Sequence, residues 1–487
     1  MTDQYRRLRA HLLAFGRDES GVMTIFAIYM FLMMLLVGGI AVDLMLAEYE
    51  RTKRQSVLDR ALLAAADLDQ TLPPKQVVKD YFEKSGMKGE VSHIQVTQSA
   101  TSRTVSARSN IEQPTRWMKF MGNPTLPVVT GGTAVQVIPE LEVSLVIDIS
   151  GSMRFSNRMT ELRPAAKSFI SELLKGQLAQ YTSINLVPYA GQTNPGAFMF
   201  QRMGGVRYPA APLDEVDGGI LEQFNNTILH PTATAGKGSV KGGRYVYPNT
   251  SSCIEVAPSD FTYSGLPKAG TYDQVAHFMN WNIAASVMDW GWCPDDATSI
   301  QYASNNIGAL HGFIDNMRMH DGTGTHYAIK YGLALLDPTS RDDFAAMASA
   351  GLIPQTFKNR PADWGDQRAE KFIVLMTDGQ ITEQVRPKDT MHIDNPTREL
   401  QNRGGDRKSI TSAGTNVQSF YDICNLAKDP SRNVVIYTIA FEAPSAAKTQ
   451  MRNCASSPSH FFDVKDSELN DAFSDIARQI RPLRLSN

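Results

Sequence analysis

The longest continuous run of hydrophobic positions in the chain lies close to its N-terminus. Residues Val22–Val42 have the sequence VMTIFAIYMFLMMLLVGGIAV and are apolar almost throughout. A helix of about 20 such residues is long enough to cross a lipid bilayer. The run is too long for the core of a signal peptide, and no small-residue cleavage site follows it. We therefore expect a retained anchor over residues 22–46; a buried helix of a soluble protein is the alternative.

Basic residues around this run predict the orientation of the anchor. Four arginines precede it: Arg6, Arg7, Arg9 and Arg17. Because cytoplasmic flanks carry an excess of positive charge, we expect residues 1–21 in the cytoplasm and the rest of the chain across the membrane. Basic residues also follow the run and weaken this asymmetry: Arg51, Lys53 and Arg54.

The helical pattern continues beyond the apolar run. Residues 48–68 contain strong helix formers and neither Gly nor Pro, which predicts one helix from Val22 to Leu68. Its second half would extend roughly 35–40 Å past the bilayer, at about 1.5 Å per residue. That half carries an apolar stripe that needs a packing partner: Val57, Leu58, Leu62 and Ala65.

A small α+β module is predicted to cover this stripe. Pro73 and Pro74 end the long helix, and a short helix is expected over residues 75–85. Alternating strand patterns follow from Val91 and from Arg103, and a second hairpin is expected near Val128. The extended helix and this module together occupy residues 47–139.

From Leu141 onward, short apolar runs alternate with amphipathic segments. Strands are predicted to begin at Leu141, Ser183, Lys371, Asn433 and His460. Helices are predicted over residues 158–174, 416–428, 445–454 and 466–480, with Asp466 as the N-cap of the last. This alternation predicts an α/β domain over residues 140–487 with a doubly wound, mainly parallel sheet.

A long irregular segment, residues 191–299, interrupts the strand–helix pattern. It is rich in Gly, Pro, Asn and Tyr and contains Cys253 and Cys293, while Cys424 and Cys454 lie near the C-terminus. Four cysteines allow three pairings, and two disulfides are expected if the domain lies outside the cytoplasm. Free buried thiols are the alternative.

Net charge and the absence of catalytic motifs argue against two functional classes, nucleic-acid-binding proteins and enzymes. The formal net charge is −2, which argues against nucleic-acid binding driven by bulk charge. The sequence contains no GxSxG, P-loop or HExxH motif, so we expect no enzyme activity.

The strongest chemical signal follows the strand at Leu145–Ile147. Asp148, Ser150 and Ser152 stand at alternate positions on the loop after it. Ligands of open α/β sheets bind just past the carboxyl ends of strands. Oxygen-bearing side chains at such a place suggest a hard cation, although they could simply cap the loop and the following helix.

Two later segments offer further ligands for this site. The loop from His320 contains Thr323, with Thr325 as the reserve candidate, and LMTDGQ places Asp378 after a second buried strand. Mg²⁺ takes about six oxygen ligands and keeps some waters, and Ca²⁺ or Mn²⁺ could take its place.

DISGS, a Gly-Thr loop and a strand ending in TDG together resemble the metal-ion-dependent adhesion site of von Willebrand factor type A domains. The resemblance extends over about residues 141–487, apart from the irregular segment. It implies a metal held by five residues: Asp148, Ser150, Ser152, Thr323 and Asp378. It also implies that an acidic side chain of a partner protein completes the coordination.

The N-terminal region resembles TadE/TadG-like proteins of the bacterial tight-adherence (Flp) pilus machinery. The match is carried by Gly21, Asp43, Gln55 and Asp59 around the apolar run and before an alanine-rich stretch. Prepilin processing is not expected, because the fifth residue after Gly21 is Phe26 and not Glu.

The two resemblances imply a single-pass protein of the bacterial inner membrane with a periplasmic bulk. It would bind protein partners of a pilus or secretion apparatus through the metal. The alternatives are a surface adhesin for host or matrix ligands, a cytoplasmic-facing scaffold that works with an ATPase, and a metal-using hydrolase.

Overall fold

The computed structural model describes residues 20–481, apart from 69, 100–101, 138, 208–239, 242–243, 246–250, 282–286, 290, 367, 391, 393 and 396–397. Most of the predicted cytoplasmic segment 1–21 and the middle of segment 191–299 thus lie outside the described residues. The chain divides into two compact units, residues 1–138 and 139–487.

The first unit begins with one long helix. Helix α1, Ser20–Ala66, is 47 residues long, as the uninterrupted helix-forming sequence predicts. Most apolar side chains of its first half are exposed, among them Phe26 and Met34. Among the described residues, α1 is the one helix long and apolar enough to cross a membrane, which fits a membrane anchor or a signal sequence.

The second half of α1 packs on a small α+β module. The module contains helix α2 (Pro74–Lys84) and an antiparallel sheet of β1 (Val91–Gln98), β2 (Ser102–Pro114) and β3 (Thr125–Val137), in that order. The predicted stripe is buried against it: Val57, Leu58, Leu62 and Ala65. These apolar contacts hold the unit together, since burying each of the valine and leucine side chains is worth roughly 1.5–3 kcal/mol.

The second hairpin predicted near Val128 is wrong. β3 is a single strand that pairs with β2 along its whole length, from Thr125 to Val137. Gly131 and Gly132, in the segment where the hairpin was expected, lie inside the strand. A Cβ atom on Gly132 would lie 3.1 Å from the Leu62 side chain, so the glycine allows α1 to pack closely.

The second unit is built on a six-stranded sheet. The strands of this sheet are β4 (Glu140–Asp148), β5 (Thr182–Tyr189), β10 (Gln301–Ser304), β11 (Ala369–Thr377), β14 (Val435–Phe441) and β15 (Phe461–Val464). Their order in the sheet is β10-β5-β4-β11-β14-β15. The strands are parallel except β10, which pairs antiparallel with β5.

Helices cover both faces of this sheet, which confirms the predicted doubly wound α/β fold. One face carries α3 (Arg158–Leu173), α5 (Ile307–Asn316) and α10 (Glu468–Ile480). The other carries α6 (Thr325–Ala334), α7 (Arg341–Ser349), α8 (Ala413–Lys428) and α9 (Ser445–Cys454). Neighbouring residues of β4 point to opposite faces, Val146 towards the second helix layer and Leu145 towards the first. Helix α10 starts two residues later than predicted, with Ser467 and not Asp466 at its N-cap.

The segment between β5 and β10 is partly structured. It contains α4 (Gly196–Arg202) and two two-stranded pairs, β6 (Gly205–Val206) with β9 (Tyr272–Asp273), and β7 (Val240–Lys241) with β8 (Arg244–Tyr245). A last pair, β12 (Gln384–Pro387) with β13 (Arg407–Thr411), follows β11.

Both expected disulfides are present. Cys253 pairs with Cys293 inside the irregular segment, and Cys424 pairs with Cys454. The second bond joins α8 to α9 on the same face of the sheet. The structure thus selects one of the three pairings that the sequence left open.

Candidate metal centre

The first three predicted ligands lie on the loop after β4. This strand is central, between β5 and β11, and its last residue, Asp148, is fully buried. The Ser150 backbone N–H donates to Asp148 Oδ1 at 2.8 Å, which fixes the turn of the loop. The hydroxyl groups of Ser150 and Ser152 then stand together, with 3.0 Å between their Oγ atoms.

Asp378 reaches the same place from the neighbouring strand. β11 is parallel to β4, with Leu375 opposite Val146, so both strands end at the same edge of the sheet. Ser152 Oγ donates to Asp378 Oδ1 at 2.6 Å. This hydrogen bond joins two loops that are 226 residues apart in the sequence.

Thr323 enters the group from the loop before α6. The His320 backbone N–H donates to the Ile149 carbonyl oxygen at 2.9 Å, which holds this loop beside the first one. A Cβ atom built on Gly379 would lie 3.4 Å from both Ser152 Oγ and Thr323 Oγ1. The two hydroxyl groups therefore border the same small space.

Thr325, the reserve candidate, has different neighbours. It is the first residue of α6, is buried, and lies beside the Tyr189 hydroxyl group. That hydroxyl donates to Asp148 Oδ2 at 3.3 Å. Thr325 thus lies beside the buried side chain of Tyr189, whereas the Thr323 hydroxyl group borders Gly379 together with that of Ser152. The geometry favours Thr323 as the ligand.

The two carboxylates lie in a poorly solvated environment. Burial raises the pKa of both Asp148 and Asp378, and the charge of Asp378 raises the pKa of Asp148 further. Hydrogen bonds offset part of the free-energy cost of burying the two negative charges: Thr377 Oγ1 donates to Asp148 Oδ2, and Arg158 Nη1 donates to Asp378 Oδ2, each at 2.7 Å. A bound divalent cation would lower this cost further.

The donor set fits a hard divalent cation. It consists only of carboxylate and hydroxyl oxygens, the ligands that Mg²⁺, Ca²⁺ and Mn²⁺ prefer. The five residues that would hold the ion are Asp148, Ser150, Ser152, Thr323 and Asp378. Two carboxylates match the charge of the cation, and the neutral hydroxyl groups leave it able to attract a further anionic ligand.

Two charged residues that the sequence did not single out support the centre. Arg158, the first residue of α3, binds Asp378 and also donates from Nε to Glu442 Oε2 at 3.0 Å. Arg158 follows the first loop closely, but nothing in its local pattern distinguishes it from a solvated helix residue. Glu442 comes after β14, and only the strand order brings it near.

Comparison with known families agrees with this fold and with the N-terminal helix. Residues 21–68 match the Flp pilus-assembly TadE/G-like family, and residues 296–475 match the von Willebrand factor type A domain family. The chain therefore carries a TadE/G-like segment followed by a von Willebrand factor type A domain. The second match starts at residue 296, near the end of the irregular segment, whereas the sheet also includes β4 and β5, which precede that segment. A search of curated proteins finds no match.

Several solved structures are similar to this chain at low identity. The von Willebrand factor domain of the type V pili tip protein Mfa5 from Porphyromonas gingivalis is 14% identical, with a TM-score of 0.34; the alignment covers 70% of this chain and 95% of that one. The pilus adhesin SpaC from Lactobacillus rhamnosus GG is 13% identical, with a TM-score of 0.31 and 80% of this chain covered. The chain spans about a third of the length of SpaC, 33%.

A third similar structure contains a metal. Proximal thread matrix protein 1 from the mussel byssus, with a zinc-occupied MIDAS motif, is 12% identical with a TM-score of 0.28. The alignment covers 70% of this chain and 45% of that protein.

Proposed function

We propose that this protein is a membrane-anchored component of a Flp-type pilus or secretion system that binds partner proteins through a divalent metal. One observation carries the proposal: hydroxyl and carboxylate side chains from three separate loops converge at one edge of the sheet. They do so in a type A domain whose chain begins with a TadE/G-like segment.

The residues of the centre would bind the metal and orient its ligands, and we propose no catalytic step. Asp148 is held by the Ser150 N–H and the Thr377 hydroxyl, and Asp378 is held by Ser152 and Arg158. Bound Mg²⁺, or Ca²⁺ or Mn²⁺ in its place, would supply a positive charge with an open coordination position. An Asp or Glu side chain of the partner would fill that position.

The two disulfides support a location outside the cytoplasm. Such bonds persist in the bacterial periplasm and are rare in the cytosol. They weigh against the cytoplasmic-facing scaffold, and together with the basic N-terminal segment they favour an inner-membrane protein whose bulk is periplasmic. A C-terminal reporter that is active only in the cytoplasm should therefore be inactive.

A matched pair of variants tests the metal centre. Thr323→Val removes a proposed ligand, and Thr325→Val makes the same chemical change two residues away. We expect the first to weaken binding of Mn²⁺, measured by electron paramagnetic resonance on the full chain in detergent, by about tenfold or more. The second should retain near-normal affinity.

Partner binding is then measured by crosslinking in cells, followed by a pull-down with and without chelator. We expect Thr323→Val, like chelation, to abolish partner capture that Thr325→Val retains. Equal Mn²⁺ affinity in the two variants would contradict the ligand assignment. Partner capture that survives both the chelator and an Asp148→Ala, Ser150→Ala double variant would contradict the metal-dependent mechanism.

A further inference from the structure

The loop between β2 and β3 exposes an unusual group of side chains. This hairpin loop, residues 115–124, contains a short 3₁₀ helix, Met118–Met121. Three large apolar side chains on it are exposed: Trp117 to 40%, Phe120 to 75% and Met121 to 52%. Two exposed basic residues, Arg116 and Lys119, stand among them. Single exposed apolar residues are ordinary on a protein surface, but a contiguous group of this kind suggests an interaction surface.

The hairpin loop is attached to α1 by a buried carboxylate. Asp43 is only 3% exposed. Its oxygens accept hydrogen bonds from three successive backbone N–H groups, those of Arg116, Trp117 and Met118, at 2.8, 2.7 and 2.7 Å. Three charge-assisted hydrogen bonds fix the loop on the helix and satisfy the carboxylate.

A close apolar contact reinforces this attachment. The Trp117 side chain lies directly against Gly39 of α1, where any Cβ atom would overlap the ring. Glycine at this position therefore allows the aromatic ring to approach the helix backbone. The loop thus meets α1 over about one helical turn, from Gly39 to Asp43.

The position of that turn relates the loop to the membrane. The apolar run Val22–Val42 rises about 31 Å, which equals the roughly 30 Å thickness of the hydrocarbon core. Gly39 therefore lies about 4–5 Å inside the end of the run, and Asp43 lies just beyond it. The exposed apolar side chains are thus held at the level where α1 leaves the hydrocarbon core.

We propose that the hairpin loop is a second membrane contact, which inserts Trp117, Phe120 and Met121 into the interfacial region of the bilayer beside α1. The inference rests on the proposed anchoring by α1. Aromatic side chains favour this interfacial region, and the basic side chains of Arg116 and Lys119 would bind lipid phosphates. The spanning helix and the inserted loop would together fix the orientation of the β-hairpin on the membrane.

The test uses the full chain in vesicles of phosphatidylcholine and phosphatidylglycerol. Phe120→Cys carries a nitrobenzoxadiazole label, and Val135→Cys is the matched control. Val135 is 59% exposed on β3, about 33 Å along the strand from Thr125, where the loop ends. The four native cysteines are paired in disulfides, so the label reacts at the introduced thiol.

We expect the label at position 120 to show blue-shifted emission and strong quenching by lipids that carry a doxyl group near the headgroup. The label at position 135 should show neither effect. Emission at position 120 that is as water-like as at position 135 would overturn the proposal. A blue shift without lipid quenching would overturn it as well, because it would indicate a protein contact.

Alkaline carbonate extraction of the same vesicles separates this inference from the anchoring on which it rests. If the chain is extracted, the anchor and the loop proposal both fail. If the chain stays in the membrane and the label at position 120 is not quenched, only the loop proposal fails.

Discussion

Replacement of Arg158 by Met tests how the candidate metal centre is stabilised before metal binds. Arg158 is paired with two carboxylates, Asp378 at 2.7 Å and Glu442 at 3.0 Å. The Asp378 side chain is fully buried, whereas that of Arg158 is 15% exposed. The substitution leaves Asp378 buried near Asp148 without its guanidinium partner, while the methionine retains most of the apolar packing.

The expected cost follows from this burial. Breaking a fully buried ion pair costs about 3–5 kcal/mol, and partial access of water to Arg158 lowers our expectation to about 2–3 kcal/mol. For a unit of roughly 350 residues this corresponds to a fall in melting temperature of about 3–4 °C. Lys167→Met is the control on the same helix. It breaks a solvent-accessible pair with Asp315 and should cost less than about 1 kcal/mol.

Thermal unfolding of the full chain in detergent, followed by tryptophan fluorescence, measures the difference. With chelator present, Arg158→Met should melt clearly below Lys167→Met. With saturating Mg²⁺ the gap should narrow, because the cation supplies the missing positive charge. Equal melting temperatures of the two variants in chelator would refute the stabilisation that we assign to the Arg158–Asp378 ion pair. A difference in melting temperature that Mg²⁺ does not change would refute the idea that the metal can replace the arginine charge.

Two further predictions concern the second unit away from the centre. Burial lowers the pKa of Lys330 to about 7, so between pH 7 and 10.5 the folded protein binds fewer protons than the unfolded chain. The melting temperature of the wild type relative to Lys330→Met should therefore rise with pH in this window, and a flat difference would contradict the burial. Replacing both Cys424 and Cys454 by Ser opens a loop with a sequence separation of 30 and should cost about 3–4 kcal/mol. Denaturant unfolding without reductant measures this cost, and a midpoint unchanged from the wild type would contradict it.

Elements with a strong local signal were predictable from the sequence. Helix α1 was predicted to within two residues at each end because an apolar run and a helix-forming run join without a breaker. The central strands β4 and β11 were predicted because each contains a continuous apolar run, Leu145–Ile147 and Phe372–Met376, as buried parallel strands do. The five proposed ligands could be named because DISGS, the Gly-Thr loop and TDG resemble the metal-ion-dependent adhesion site of type A domains.

Local patterns failed where packing decided the conformation. A hairpin was expected near Val128, yet this segment is one strand, β3, on which Gly132 lies close to Leu62 of α1. Asp466 was expected to cap α10, but it has a positive φ of 44°, and Ser467 occupies the N-cap. Glycine and aspartate are each compatible with several backbone conformations, so their presence alone does not fix the local structure.

The sequence by itself determined the classes of structure: a bilayer-length helix, an α/β domain and a set of candidate oxygen ligands. Hydrophobic periodicity and local turn chemistry depend on near neighbours in the chain, so they can be recognised from the sequence alone. Only the tertiary structure decided that Thr323 and Ser152 both border Gly379, that Arg158 holds Asp378, and that Asp43 binds the hairpin loop. Such contacts depend on strand order and helix packing, which bring together groups that have no relation along the chain.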